Sequence, residues 1–173
     1  MTFHEEKAEK FFLEGYNCAQ AVMMAYSDLT GIDEKTSAKI SSSMGGGLAR
    51  LREVCGAVSG MALAAGAIYG YDDTQDAQAK KEHYNFVSSM CFKFKEEMGS
   101  YICKELLSLP ENTPYNPNAE ERTQTFYKKR PCVECVKYAA RLLDEAIEAK
   151  KLNNVKNAVP AIVESYTHSV HNE

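Results

Sequence analysis

The sequence predicts an all-α fold, a compact multi-helix bundle around a buried Gly/Ala-rich central helix, and three observations carry that prediction. The 173 residues suffice for one core and are too few for two ordinary ones. A composition 45% apolar and 25% charged is that of a folded globular chain. Apolar residues recur at helical spacing, while no strand-like alternation is long enough to build a sheet and no solenoid-type repeat is visible. Residues 1–150 are read as a single all-helical domain, and 151–173 as a C-terminal extension, partly helical or flexible.

Thr2 followed by Glu5 forms a capping-box pattern, and Ala8, Phe11 and Phe12 supply an apolar stripe up to Gly15. Asn17 suits the N-cap of a second helix through NCAQAVMMAYSDLTG, with Gly31 at its end. Asp33 caps a third, DEKTSAKISSSM, which Gly45, Gly46 and Gly47 stop, because consecutive glycines hold no regular structure cheaply.

The segment CGAVSGMALAAGAIYG is small or apolar almost all round and only about 24 Å long as a helix, too short to span a bilayer. It reads as the buried central helix, with Gly56 and Gly60 on one face letting a neighbouring backbone come close. Asp72, Asp73 and Thr74 favour the start of a long amphipathic helix ended by Gly99. Ser100 is the expected N-cap of SYICKELLSL, which Pro110 closes. AEERTQTFYKKR leads to Pro131, suited to the first position of the last helix, PCVECVKYAARLLDEAIEAKK. Pro160 is expected to limit any helix in the tail.

Charge and cysteine content narrow the function classes. A net charge of -4 with no Lys/Arg block leaves no electrostatic footprint for nucleic acid. The polar, acidic MTFHEEKAEKFF carries no export signal or membrane anchor, so a cytoplasmic location without membrane insertion is expected. In a reducing compartment, Cys18, Cys55, Cys91, Cys103, Cys132 and Cys135 suggest metal ligation or redox chemistry more than a disulfide frame. For Cys91 and His83, inside the long amphipathic helix, ordinary packing is the preferred reading.

Four cysteines share a predicted position. Cys18, Cys55, Cys103 and Cys132 each fall at a helix N-terminus, where unpaired N–H groups and the helix dipole favour a thiolate or an anionic sulfur-ligated cluster. Brought together, they would form a soft tetrathiolate site suited to an iron–sulfur cluster, zinc or copper(I). Their wide spacing matches neither zinc ribbons nor ferredoxin runs. Cys132 and Cys135 also make a Cys-x-x-Cys at a helix start after Lys128, Lys129 and Arg130, which leaves dithiol–disulfide exchange open, although no βαβ context surrounds them.

The elements GYNCAQAV, MGGGLAR, VCGAVSG, SYICKELL and CVECVKYAARLL resemble the C_GCAxxG_C_C family of redox-active proteins from about residue 10 to 150. The most specific piece is Cys55-Gly56-Ala57-Val58-Ser59-Gly60. The resemblance implies that Cys18, Cys55, Cys103 and Cys132 form the family quartet, with a redox or cluster-binding function. It also implies a redox protein or oxidoreductase as partner and, together with the small-residue helix, a homodimer. Split-Soret cytochromes, related to this family, carry haem as well as a cluster. Here Cys135 is followed by Val136, so the Cys-x-x-Cys-His needed for covalent c-type haem is absent.

The remaining signals are weak. His168 and His171 have ligand-compatible spacing but no third partner, and the methionines read as core filling rather than copper(I) ligands. The glycine triplet lacks the Lys-Ser/Thr of a phosphate loop. The expectation is a redox or electron-transfer protein with a four-cysteine iron–sulfur site. The alternatives are a metal-free thiol–disulfide oxidoreductase or redox sensor, and a structural zinc protein.

Overall fold

The computed structural model describes the backbone of residues 1–169 and the side chains of residues 1–153; His171 lies outside the described residues. Helix α1 (Phe3–Leu13) opens with a reciprocal cap. The Glu5 N–H donates to the Thr2 hydroxyl at 3.2 Å, and the Thr2 N–H donates to the Glu5 carboxylate at 3.3 Å. Helix α2 (Cys18–Ala25) begins the same way: Asn17 Oδ1 accepts from the Ala19 and Gln20 N–H groups, and Gln20 reaches back to the Asn17 N–H.

The second helix does not run unbroken to Gly31. It stops at Tyr26, and a separate turn α3 (Ser27–Thr30) ends at Gly31 with φ +70°. The Tyr26 side chain supplies the reason. Its ring stacks on His4 at 4.2 Å, and its hydroxyl lies between the Ala140 carbonyl (2.5 Å) and Asp144 Oδ1 (3.0 Å). These long-range bonds hold Tyr26 outside helical geometry.

Helix α4 (Glu34–Ser41), capped by Asp33, tightens into a 3₁₀ turn over Ser42–Met44 before the glycine triplet. The central helix α5 (Gly56–Tyr69) follows. Helix α6 (Ala77–Met98) starts later than expected, capped by Asp76, whose carboxylate accepts from the Ala79 N–H at 2.8 Å. Asp73 is used instead to turn the chain, accepting from the Gln75 N–H. Gly99, at φ +86°, ends α6.

Helix α7 (Cys103–Leu106) is a single turn with Ile102 in the cap position. Ser100 serves it indirectly, accepting from the Ile102 N–H at 2.9 Å and donating to Glu105. Helix α8 (Gln124–Lys129) begins only at Thr123, whose hydroxyl caps it. Helix α9 (Cys132–Ser169) starts one residue after Pro131, whose carbonyl accepts from the Cys135 N–H. Pro160 lies inside α9 rather than at its end; a proline removes one helical hydrogen bond and can kink a helix without stopping it.

Helix α5 sits against α2, while α9 lies along α1, α5 and α6. The α2–α5 contact is made by backbone: a Cβ on Gly60 would stand 2.6 Å from the Ala19 carbonyl oxygen. Tyr26, Phe12, Phe94, Met23, Met61 and Met90 fill the space between helices as the largest wholly buried side chains among the described residues. Among the described residues the only extended pairing is one antiparallel bridge, Val54 with Ile102. Among the described residues, no helix is long and apolar enough to cross a membrane.

Candidate functional site

Cys18, Cys103 and Cys132 are the first residues of α2, α7 and α9, and Cys55 immediately precedes α5. Two backbone bonds tie the α5 and α7 starts together: the Cys55 N–H donates to the Tyr101 carbonyl at 2.8 Å, and the Cys103 N–H to the Glu53 carbonyl at 2.7 Å. At the start of α2, a Cβ added to Gly56 would sit 3.3 Å from the Cys18 Cβ. These contacts gather residues from distant parts of the chain.

The sulfurs associate in pairs. Cys132 lies beside Cys18 and Cys55 beside Cys135, each near enough for one thiol to shift the ionisation of the other. Cys132 and Cys135 thus face different partners, although they lie one turn apart on α9. Cys18, Cys55, Cys103 and Cys132 are near enough for charge on one to act on the others. Among the described residues, no three His, Cys, Asp or Glu side chains are drawn to metal-ligating spacing. Cys91, on α6, is apart from this group, and only burial acts on its thiol, raising its pKa.

One thiol is favoured as a thiolate. The neighbouring Cys132 thiol, helped by the Gly46 and Cys18 N–H groups and by Arg122, outweighs burial and brings the Cys18 pKa down to about 6. Cys132 moves strongly the other way, because its proton is favoured by the neighbouring Cys18 sulfur and burial opposes its charge. Cys55 is likewise raised, by the neighbouring Cys135 sulfur and by burial. Burial pushes Cys103 up to about 11 even though Arg52 Nη1 lies 3.9 Å from its sulfur.

The loop joining the 3₁₀ turn to α5 forms one side of the site in an uncommon conformation. Gly46, Gly47, Leu48, Ala49 and Arg50 are consecutive residues at φ +67°, +71°, +59°, +48° and +66°, and Arg52 is at +68°. Left-handed backbone at non-glycine residues costs about 1–2 kcal/mol each. Bonds such as Ala49 N–H to the Ser43 carbonyl (2.7 Å) and Glu53 N–H to the Gly47 carbonyl (3.1 Å) hold it. Gly47 needs to be glycine for space as well as for φ, since its Cβ would lie 2.7 Å from the Cys103 Cβ.

Above the sulfurs lies a cavity of about 440 Å³, lined by Cys18, Cys103 and Cys132, by Arg50, Arg52, Arg122 and Arg130, and by the rings of Phe12, Tyr115 and Phe126. Cysteine spacing says nothing about these arginines. Their one trace in the sequence is that four of the chain's five arginines flank the cysteine segments.

The family described as "Putative redox-active protein (C_GCAxxG_C_C)" matches residues 16–146. The chain belongs to that family. Neither the curated proteins nor the solved structures offer a match. The C_GCAxxG_C_C match contains all six cysteines and the four cavity arginines, and it leaves out α1 and the end of α9.

As a host for the cluster suggested by the cysteine pattern, the donor chemistry fits. Soft thiolates suit iron–sulfur groups, and the Gly46 N–H and Arg52 supply donors to sulfur of the kind that tune such groups. Gly47 and Gly56 let Cys103 and Cys18 pack directly against the backbone, where a side chain would clash.

Proposed function

We propose that this C_GCAxxG_C_C protein is an electron-transfer protein whose Cys18, Cys55, Cys103 and Cys132 hold an iron–sulfur cluster, exchanging electrons with an oxidoreductase partner. The observation that supports this reading most is the arrival of four cysteines at the starts of four helices within electrostatic reach of one another. The cluster would supply one-electron redox chemistry. The chain's own contribution is to hold thiolate charge: helix-start N–H groups and the Gly46 N–H stabilise the Cys18 sulfur, and Arg52 faces that of Cys103.

The experiment is anaerobic purification, iron–sulfide reconstitution, metal analysis and a visible spectrum. Iron and acid-labile sulfide with absorbance that bleaches on reduction are expected. A colourless, iron-free protein after reconstitution sinks the reading, and stoichiometric zinc without colour replaces it with a structural metal.

A second reading, metal-free thiol–disulfide exchange, is favoured by the nearness of Cys132 to Cys18 and the lowered Cys18 pKa. The Cys18 thiolate would attack one sulfur of a partner disulfide and expel the other as a thiolate. Cys132, giving up its proton to that leaving thiolate, would then attack the Cys18 sulfur of the mixed disulfide and release the partner's second thiol. Two electrons pass to the partner disulfide as a Cys18–Cys132 disulfide forms. This reading expects a reversible loss of two protons in mass from iron-free protein, mapped to Cys18 and Cys132.

A further inference from the structure

The cavity over the cysteines carries more positive charge than its own carboxylate balances. Arg50 Nη2 lies 3.6 Å from Glu120 Oε1, and Arg130 hydrogen-bonds the same oxygen. Arg122 is committed to the fold: it donates to the Phe12 and Tyr16 carbonyls at 3.1 and 3.0 Å, with its guanidinium 4.6 Å from the Phe12 ring centre. The Arg52 guanidinium makes one hydrogen bond among the described residues, to Cys103 Sγ. Glu120 is the one carboxylate in the lining, so even with the Cys18 thiolate the cavity sets Arg50, Arg52 and Arg130 against two negative groups.

The backbone that presents two of them is strained, with Arg50 and Arg52 themselves left-handed. Such strain persists where surroundings over-determine it, and it concentrates at ligand clamps. A guanidinium offers a planar fork matched to carboxylate or phosphate oxygens, and a partly enclosed cavity strengthens the attraction. A volume of about 440 Å³ is far more than a single oxyanion fills and lies within the range of organic-ligand pockets. Phe12, Tyr115 and Phe126 would cover the carbon skeleton of such a ligand.

We propose that this cavity binds a small organic polyanion, with its carboxylate or phosphate groups on Arg50, Arg52 and Arg130 and its body against Phe12, Tyr115 and Phe126, directly above the cysteines. Binding stands on the arginine cavity. Only the ligand's role as a redox substrate or modulator rests on the reading given under Proposed function.

The test is calorimetric titration of the full chain, purified anaerobically, with benzene-1,3,5-tricarboxylate and with inorganic phosphate, at low and high salt. The tricarboxylate is expected to bind about tenfold or more tighter than phosphate, a difference of about 1.4 kcal/mol, and to weaken with salt. Arg50→Ala and Arg52→Ala are each expected to weaken it about tenfold, with Arg52→Lys intermediate because charge without the fork is retained. Arg141→Ala, outside the cavity lining, leaves binding unchanged.

No binding of either probe overturns the proposal, as does tricarboxylate affinity indifferent to both arginine substitutions. Equal affinity for phosphate and tricarboxylate overturns it in favour of a single-oxyanion site. Iron and the visible spectrum are read on the same samples. Tricarboxylate binding to protein that takes up no iron removes the cluster reading and upholds this one. A loaded cluster with no tricarboxylate binding does the reverse and assigns the arginines to balancing the charge of the sulfur site.

Discussion

Cys132, the first residue of α9, stands beside Cys18, the first residue of α2, close enough for its thiol to favour a thiolate on Cys18. The asymmetry is chemical: Cys18 is the group that ionises, and Cys132 keeps its proton. Metal-free protein is therefore expected to alkylate first at Cys18, half-maximally near pH 6. In Cys132→Ala, with the largest stabilising contact gone, the midpoint moves upward. Rate against pH by peptide mass spectrometry measures both, and an unchanged midpoint in the variant contradicts the assignment.

A second polar cluster ties α1 to α3 and α9. His4 Nδ1 lies 2.6 Å from Asp144 Oδ1, and His4 Nε2 lies 3.2 Å from both oxygens of Asp28. Burial disfavours the charged ring, but the hydrogen bonds and charges of Asp144 and Asp28 outweigh it, so the His4 pKa is raised. For Asp144, burial is outweighed by His4 and the other donors, and its pKa is lowered. The signs follow from linkage. The His4 contribution is complete below its ordinary value of 6.5 and is lost as pH rises through the higher folded value. The Asp144 contribution is present above its ordinary 3.8 and is lost as pH falls through the lower folded value. Urea unfolding across pH is expected to show both limbs, and Asp144→Asn to flatten both while costing about 1–3 kcal/mol near neutrality.

Gly60→Ala places a methyl group 2.6 Å from the Ala19 carbonyl oxygen, where backbone rather than a mobile side chain must yield. Separating α2 from α5 is expected to cost about 1–3 kcal/mol. Gly66→Ala on the same helix meets nothing within 4 Å and gains helix propensity, so its Tm should hold or rise. Equal losses in the two variants would refute the close approach.

Ala49 is left-handed at φ +48° without being glycine. Ala49→Gly is expected to stabilise by up to about 1 kcal/mol, strain relief exceeding the added unfolded-state entropy. A fall in the denaturation midpoint would mean that the loop holds no such strain.

Particular residues show how far local chemistry could be read. Thr2 with Glu5, Asn17, Asp33 and Gly99 mark helix ends within a few residues, because each acts on backbone groups beside it. Tyr26 broke the second helix because its partners lie on α9, far along the chain. Asp76 rather than Asp72 or Asp73 caps α6 because several adjacent residues could do so and the turn decides among them. At the site, the cysteine positions at helix starts were legible, whereas the arginine wall was not: the packing of Arg122 on Phe12 and the left-handed course of Gly46 to Arg50 have no periodic signature.

By itself the sequence determined an all-helical chain, most helix starts to within a few residues and the sulfur groups stationed at four of them, since capping and apolar periodicity are short-range effects. Tertiary structure alone decided which sulfurs lie beside one another and which guanidiniums roof them. Those outcomes depend on distances between segments far apart in the chain, set by how α2, α5 and α9 pack.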